Sequence, residues 1–144
     1  MENARKFGEI FKGPDHIGLD ITNRCNMCCQ HCYNRSNVGG GVNVGDELSE
    51  MELSQFSEEL RILEPPSFCF CGGEPLLRYD MVLKMLDKMH NRVTHPGLVT
   101  NGFLMTLEKA YTLKEHGLYT YQVSIDGANA STHDTLRGRI GCYE

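Results

Sequence analysis

The stretch HIGLDITNRCNMCCQHC, residues 16–32, joins a segment of alternating apolar residues directly to four closely spaced cysteines. Isoleucine or leucine occupies every second position from Ile17 to Ile21, a pattern that predicts a β-strand over His16–Thr22. In sheets of parallel strands, ligands bind at the carboxyl ends of the strands. We therefore expect this cysteine cluster to lie at the functional edge of a sheet.

The four cysteines allow two interpretations of the metal that they would bind. Cys25-x-x-Cys28 followed by Cys29-x-x-Cys32 would suit a closed, four-thiolate zinc site. Cys25-x-x-x-Cys29-x-x-Cys32 would instead leave Cys28 out and keep one metal position open for chemistry. Clustered thiols in a chain with no recognisable export signal are more typical of metal ligands than of disulfides.

Further strands alternate with helices along the rest of the chain. A Ser49 and Glu52 capping box predicts the start of one helix, and Thr106 caps another that Gly117 ends. A Gly/Asn-rich loop from Asn34 to Gly45 precedes the first helix. The remaining predicted segments are strands in PSFCF (66–70), GLVTNG (97–102) and YTYQVSIDG (119–127), a helix in YDMVLKMLDKMHNR (79–92), and one short helical turn in STHDTLRG (131–138). This alternation predicts βαβ units and a parallel sheet.

One face of the predicted sheet is unusually polar. Its side chains are Asp20 and Thr22 on the first strand, Cys69 and Cys71 on the second, and Gln122, Ser124 and Asp126 on the fourth. The opposite face carries apolar residues expected to pack under helices, among them Phe68, Phe70, Val123 and Ile125. A polar inner face predicts a curved sheet or partial barrel whose concave side holds a polar ligand.

The bulk composition limits the function further. A chain of 144 residues with a net charge of −5 and a pI near 5.7 lacks the basic surface of a nucleic-acid or anionic-membrane binder. No apolar run approaches the ~20 residues that cross a bilayer. We expect an N-terminal extension over residues 1–15, one domain over residues 16–144, and a cytoplasmic location.

Four motifs carry a resemblance to a known family. CNMCCQHCY (25–33), CGGEPLLR (71–78), VTNG (99–102) and VSIDGANASTHDTLRG (123–138), in this order, resemble the radical S-adenosylmethionine superfamily. The most similar branch is that of the SPASM-type peptide and protein maturases. The resemblance implies an α/β fold, a partial parallel (β/α) barrel related to the TIM barrel. Four βα units are visible where the family's core has six strands, so residues 16–144 would form an incomplete core domain.

The resemblance also implies the cofactors and the residues that hold them. Cys25, Cys29 and Cys32 would bind a 4Fe–4S cluster whose open iron is chelated by S-adenosylmethionine. Reductive cleavage would give a 5′-deoxyadenosyl radical that abstracts hydrogen from a substrate, which is oxidoreductase chemistry. The cofactor-binding residues implied are His31, Gly72, Gly73, Glu74, Pro75, Asn101, Ser124 and Asp126. No catalytic residue is assigned, and His133, Asp134 and Arg137 are interpreted as helix-capping and ion-pairing residues.

The implied partners are a one-electron reductant such as a flavodoxin or ferredoxin and a peptide or protein substrate. Two alternatives stay open. The chain could bind the cluster without turning over, or it could be a zinc-binding or simple electron-transfer module. Cleavage of S-adenosylmethionine and metal analysis distinguish these functions.

Overall fold

The fold is built on one sheet of four parallel strands in sequence order. The computed structural model describes residues 13–36, 47–93 and 95–144. The strands are β1 (His16–Thr22), β2 (Ser67–Gly72), β3 (His95–Thr100) and β4 (Thr120–Val123). The helices are α1 (Glu50–Leu63), α2 (Tyr79–Met89), α3 (Leu107–Glu115) and α4 (Ala130–Arg137), with a 3₁₀ helix (Pro75–Arg78) before α2. The predicted α/β class and parallel order are confirmed, and the sheet is not closed.

The helix ends follow the predicted capping chemistry. At the start of α1, Ser49 N donates to Glu52 Oε2 at 2.8 Å and Glu52 N donates to Ser49 Oγ at 3.2 Å, which completes the predicted capping box. Thr106 Oγ1 accepts from Lys109 N at 3.2 Å at the start of α3. Gly117 follows α3 with a φ of +95°, a conformation that glycine adopts readily.

The core lies on the helix-covered face of the sheet. Phe68 and Phe70 of β2 are fully buried there, with their rings edge to face at 4.9 Å between centroids. Leu98 of β3 is buried beside them in the same cluster. The other members of this core come mainly from α1 and α2, including Leu53, Leu60, Val82, Met85, Leu86 and Met89. This packing fixes β1, β2 and β3 as a rigid support for the loops at their carboxyl ends.

The last strand differs from the prediction. β4 covers only Thr120–Val123, and Val123 and Ile125 are 39% and 69% exposed rather than packed under a helix. The physical reason is the position of α4, which packs on the cysteine loop instead of beneath β4: Gln30 N donates to Leu136 O at 2.9 Å. The predicted single turn at 131–138 is thus an eight-residue helix, capped by Asn129 Oδ1 accepting from Thr132 N at 3.0 Å.

A second difference concerns the end of β1. Thr22 was expected on the polar face, but the pairing of β1 with β2 shifts register between Asp20 and Thr22. Thr22 does not line the cavity at the ends of the strands; it is 1% exposed, and its hydroxyl donates to Glu47 Oε1 at 2.5 Å.

Two predicted segments lie wholly or partly outside the described residues. Of the N-terminal extension over residues 1–15, only residues 13–15 are described, and of the Asn34–Gly45 loop only residues 34–36. None of the helices in the described part of the chain combines the length and apolar character needed to cross a bilayer.

Candidate functional site

A cavity of about 430 Å³ opens where the carboxyl ends of the four strands meet. Nine of the residues implied by the family resemblance line it: Cys25, Cys29, His31, Cys32, Gly72, Gly73, Asn101, Ser124 and Asp126. Glu74 and Pro75 do not. Cys71, which the sequence placed on the polar face of the sheet, lines the cavity as well, and so do residues that the sequence had not assigned to the site, including Tyr33, Val99 and Arg137.

The loop after β1 is held in place from two sides. On one side, Glu47 Oε1 accepts from Asn23 N at 2.9 Å as well as from the Thr22 hydroxyl. These hydrogen bonds hold the pKa of Glu47 below its usual value although burial opposes them. On the other side, α4 reaches the loop so closely that a Cβ on Gly138 would lie 2.2 Å from the carbonyl oxygen of Cys28. The cysteines are therefore presented by a fixed loop.

The four cysteines of this loop have different environments. Cys29 is buried, Cys25 and Cys32 are half-buried, and Cys28 is exposed and does not line the cavity. Burial raises the pKa of both Cys25 and Cys29. The geometry thus groups Cys25, Cys29 and Cys32 and separates Cys28 from them.

Polar groups face two of the three grouped sulfurs. Asn101 Nδ2 lies 3.8 Å from Cys25 Sγ and donates to Asn26 Oδ1 at 2.7 Å. Arg137 Nη1 lies 3.8 Å from Cys29 Sγ. An amide and a guanidinium are donors that stabilise negative charge on sulfur, as a thiolate ligand requires.

The turn after β2 comes into close contact with the cysteine loop. Gly73 N donates to Thr22 O at 2.8 Å, and Glu74 N donates to Arg24 O at 2.8 Å. A Cβ on Gly72 would lie 2.3 Å from Thr22 O, and one on Gly73 would lie 2.1 Å from Arg24 O. Both glycines are therefore required for the two loops to meet.

Glu74 lies beneath the cavity and is 0% exposed. Its Oε1 accepts from Thr100 Oγ1 at 2.8 Å and from Leu76 N at 3.0 Å, and its Oε2 accepts from Asn101 N at 2.8 Å. Pro75 is buried next to it as the first residue of the 3₁₀ helix. Whereas we expected Glu74 to face the cofactor, its position makes it the link that fixes the end of β3 against the end of β2.

Asp126 lies at the wall of the cavity formed by the segment after β4, next to Arg137 and two histidines. Its Oδ2 lies 2.6 Å from Arg137 Nε and 3.2 Å from His31 Nε2, and its backbone N donates to His133 Nδ1 at 3.2 Å. We expected helix capping and a local ion pair among His133, Asp134 and Arg137. Arg137 instead pairs with Asp126 in the segment after β4, and the N-cap of α4 is Asn129. Sequence reasoning missed that Arg137 also reaches Cys29. The available signal was the i, i+4 spacing of His133 and Arg137, which places both on one face of α4.

Comparison with known proteins identifies the family. Residues 19–144 match the model of the Radical SAM superfamily. The chain belongs to the radical SAM superfamily. Members of this superfamily use a 4Fe–4S cluster and S-adenosylmethionine.

Three similar proteins illustrate the range of the relatives. The AdoMet-dependent heme synthase of Methanosarcina barkeri is 37% identical over 131 residues, which cover 91% of this chain and 36% of that protein. The PqqA peptide cyclase of Rhodopseudomonas palustris is 29% identical over 141 residues, covering 98% of this chain and 36% of that protein. The structure of BtrN in complex with AdoMet and 2-DOIA has a TM-score of 0.66 at 26% identity and covers 89% of this chain and 54% of that one.

The chain spans about a third of the length of these two enzymes. Its residues nevertheless fit the family's cluster. Three thiols line one cavity, and across the ranges 13–36, 47–93 and 95–144 no three His, Cys, Asp or Glu side chains converge as they would around one metal ion. In a 4Fe–4S cluster each thiolate binds a different iron, so three thiols spread along one cavity wall suit that group.

Proposed function

We propose that this chain is the cofactor-binding part of a radical SAM enzyme, in which Cys25, Cys29 and Cys32 hold the 4Fe–4S cluster and the neighbouring cavity binds S-adenosylmethionine. One observation carries the proposal. The three thiols with the family's spacing line a single cavity at the carboxyl edge of the sheet, while the adjacent Cys28 is exposed outside it. This arrangement supports three ligands and a fourth, open metal position.

The two walls of the cavity suit the two charged ends of the methionine moiety. On the β2 side, Gly72 and Gly73 have no side chains, so their backbone carbonyls can accept hydrogen bonds from an ammonium group at close range. On the β4 side, the hydroxyl of Ser124 and the guanidinium of Arg137 can donate to a carboxylate. The opposite polarity of the walls would orient the ligand in one direction.

Other residues of the site would contact the ribose and adenine of S-adenosylmethionine. Asp126 is held by Arg137 and His31, and its carboxylate can accept from ribose hydroxyls. His31 lies just before Cys32, where its backbone would contact adenine. Asn101 is held by a hydrogen bond to Glu74 and would form the rim of the cavity beside Cys25.

When bound, the reduced cluster supplies the electron that cleaves S-adenosylmethionine to a 5′-deoxyadenosyl radical, which abstracts hydrogen from a substrate. The contribution of this chain is to hold the thiolates in one fixed loop, to orient the ligand between the two polar walls, and to keep water from the core side of the site. A flavodoxin or ferredoxin would supply the electron.

Two substrate classes follow from the names of the relatives. A peptide or protein is supported by the PqqA peptide cyclase, and a tetrapyrrole by the heme synthase, which is the more similar of the two in sequence. We propose the peptide class because the motifs after β1 and after β4 resemble the maturase branch. Deuterium transfer from a labelled substrate into 5′-deoxyadenosine would discriminate the two classes.

The test is anaerobic reconstitution of the chain with iron and sulfide, followed by reduction and analysis of S-adenosylmethionine products. We expect 5′-deoxyadenosine and methionine, loss of both products in a Cys32→Ser variant, and no loss in a Cys142→Ser variant. A cluster that forms without any product would support the non-catalytic alternative. Tightly held zinc without a cluster would contradict the proposal.

A further inference from the structure

A closed ring of contacts surrounds Asn26, the residue that follows the first cysteine of the loop. The side chain of Asn26 contacts Asn101 in the loop after β3, and its backbone contacts Arg139 in the segment after α4. Arg139 in turn lies over the ring of Phe103, which also belongs to the loop after β3. Three segments distant in sequence therefore meet at one residue of the cysteine loop.

The hydrogen bonds of this ring fix the orientation of both asparagine amides. Phe103 N donates to Asn101 Oδ1 at 3.0 Å, and a backbone N–H can only donate. The Nδ2 of Asn101 therefore points the other way and donates to Asn26 Oδ1 at 2.7 Å. This orientation leaves Asn26 Nδ2, a group with two N–H donors, on the other side of its amide.

Asn26 Nδ2 is buried, and in the part of the chain that the structure describes it has no hydrogen-bond acceptor. A buried donor without an acceptor costs free energy, so an acceptor supplied by a bound group would stabilise it. The Asn26 amide lies 3.9 Å from Cys25 Sγ through its Oδ1. Asn26 is not among the residues that line the cavity, so its target is the cysteine ligand rather than S-adenosylmethionine.

Metal binding changes what the sulfur of Cys25 needs from its neighbours. As a thiol, Cys25 donates weakly to Asn26 Oδ1. A ligating thiolate has no proton, so it can only accept hydrogen bonds. Asn101 Nδ2 is one donor within reach, at 3.8 Å, and Asn26 Nδ2 is a second amide donor on the adjacent residue.

We propose that Asn26 is a positioning residue for the cluster, whose Nδ2 donates to the Cys25 thiolate and raises the reduction potential, a role that rests on the proposed cofactor function. Reduction adds negative charge to a cluster and its sulfur ligands, and N–H donors to those sulfurs stabilise that charge. A higher potential allows a milder one-electron donor to reduce the cluster.

Arg139 holds Asn26 in this position. Its Nη1 donates to Asn26 O at 2.7 Å, and its guanidinium lies 3.9 Å from the centroid of the Phe103 ring. Arg139 N donates to Asp134 O at 3.1 Å, which anchors the arginine to α4. The segment after α4 therefore fixes the backbone of Asn26 and, through Phe103, the loop that carries Asn101.

The reduction potential of the cluster tests the donor. Asn26→Leu replaces the amide with an apolar group of similar size, and Asn23→Leu makes the same change at an exposed position of the same loop. In EPR-monitored redox titrations of the reconstituted chains, we expect Asn26→Leu to lower the ratio of reduced to oxidised cluster about tenfold at the midpoint of the parent. That factor corresponds to about 59 mV for a one-electron couple. Asn23→Leu should keep the midpoint of the parent.

Arg139→Gln is a second variant, which leaves the Asn26 amide unchanged. It removes the guanidinium that stacks on Phe103 and donates to Asn26 O, so Asn26 should be held less firmly. We expect the ratio of reduced to oxidised cluster to fall about threefold or more. Arg92→Gln, which removes an exposed charge elsewhere, is the control and should leave the ratio unchanged.

Hydrogen–deuterium exchange of the metal-free chain tests the positioning of the loop without iron. The amide of Gln30 in this loop is protected by its hydrogen bond to Leu136 O. We expect the peptide that contains this amide to exchange about fivefold faster in Asn26→Leu and in Arg139→Gln than in Asn23→Leu. Far-UV circular dichroism verifies that the three variants are folded.

Two results would overturn the proposal. One is the same midpoint potential in Asn26→Leu and Asn23→Leu when both chains hold a full cluster. The other is exchange of the loop in Asn26→Leu and Arg139→Gln at the rate of the control. An unchanged potential in a cluster that responds to S-adenosylmethionine would contradict this role of Asn26 alone, whereas a parent chain without any cluster would contradict the cofactor function.

Discussion

Arg137 Nε lies 2.6 Å from Asp126 Oδ2, and this ion pair joins α4 to the segment that follows β4. The same guanidinium lies 3.8 Å from Cys29 Sγ through its Nη1. Arg137 is 8% exposed, so solvent screens its interactions far less than those of a surface pair. Arg137 thus connects the wall of the cavity after β4 to the loop that carries the cysteines.

We predict that Arg137→Gln weakens binding of S-adenosylmethionine to the reconstituted chain about tenfold or more. The reason is that hydrogen bonds from a charged donor contribute about 1.5–3 kcal/mol, and 1.4 kcal/mol corresponds to a factor of ten. We also expect the midpoint potential of the cluster to fall, because a positive charge beside a thiolate ligand stabilises the reduced state. Calorimetry and an EPR-monitored redox titration measure the two effects.

The matched control for charge is Arg92→Gln, which removes an exposed ion pair with Glu64. Arg137→Lys keeps the positive charge but not the planar guanidinium. It therefore distinguishes the loss of charge from a folding defect in the glutamine variant. Equal changes in Arg137→Gln and Arg92→Gln would show that Arg137 has no special role in the site.

Cys28 and Cys29 provide a pair of adjacent positions with opposite expected outcomes. Cys28→Ser should retain the full iron and sulfide content after reconstitution, because Cys28 is exposed outside the cavity. Cys29→Ser should lose most of it. The double variant with both serines tests whether Cys28 substitutes as a ligand when Cys29 is absent. Comparable iron loss in Cys28→Ser and Cys29→Ser would contradict the three-cysteine assignment.

Much of the fold could be predicted from local sequence signals. The alternation before Cys25, the Ser49 capping box and the Thr106 cap each depend on residues close in sequence, and the structure has all three elements. The environment of Val123 and Ile125 was predicted wrongly. Burial of a strand face depends on where the next helix packs, and α4 packs on the cysteine loop.

The site was predictable as a set of loops but not as a set of contacts. Loop positions follow from the topology of parallel strands, which brings residues such as Asn101 and Asp126 to one edge. The inward position of Glu74 and the reach of Arg137 to Cys29 depend on hydrogen bonds between segments distant in sequence. No local pattern encodes those bonds.

Glu74→Gln should lower the free energy of unfolding by about 1–3 kcal/mol. Its carboxylate accepts three hydrogen bonds while fully buried, and a glutamine amide would place an NH₂ group against one of those donors. Chemical denaturation of the metal-free chain measures the change. Glu58→Gln, on an exposed side chain paired with Arg61, is the control and should stay within about 0.5 kcal/mol of the parent. An unchanged free energy of unfolding in Glu74→Gln would contradict the role of Glu74 in linking the ends of β2 and β3.

The pH dependence of alkylation tests the protonation state of Cys69, whose Sγ lies 3.3 Å from Cys71 Sγ. Because the pKa of Cys69 is lowered to about 7, its reactive thiolate should be half formed near pH 7 and should be lost below it. Cys142 is the internal reference, because burial and the neighbouring Asp134 raise its pKa. After trypsin digestion, alkylation of peptide 62–78, which contains Cys69 and Cys71, should therefore reach its midpoint at a lower pH than alkylation of peptide 140–144, which contains Cys142. Coincident midpoints would contradict the assignment of Cys69 as the thiolate.

The most direct test of the central claim is EPR spectroscopy of the anaerobically reconstituted, reduced chain with and without S-adenosylmethionine. The account predicts a reduced 4Fe–4S signal whose g-values shift when S-adenosylmethionine is added, because the ligand coordinates the iron that Cys25, Cys29 and Cys32 leave open. A cluster signal that S-adenosylmethionine does not change would contradict the open iron and would indicate a fourth protein ligand such as Cys28.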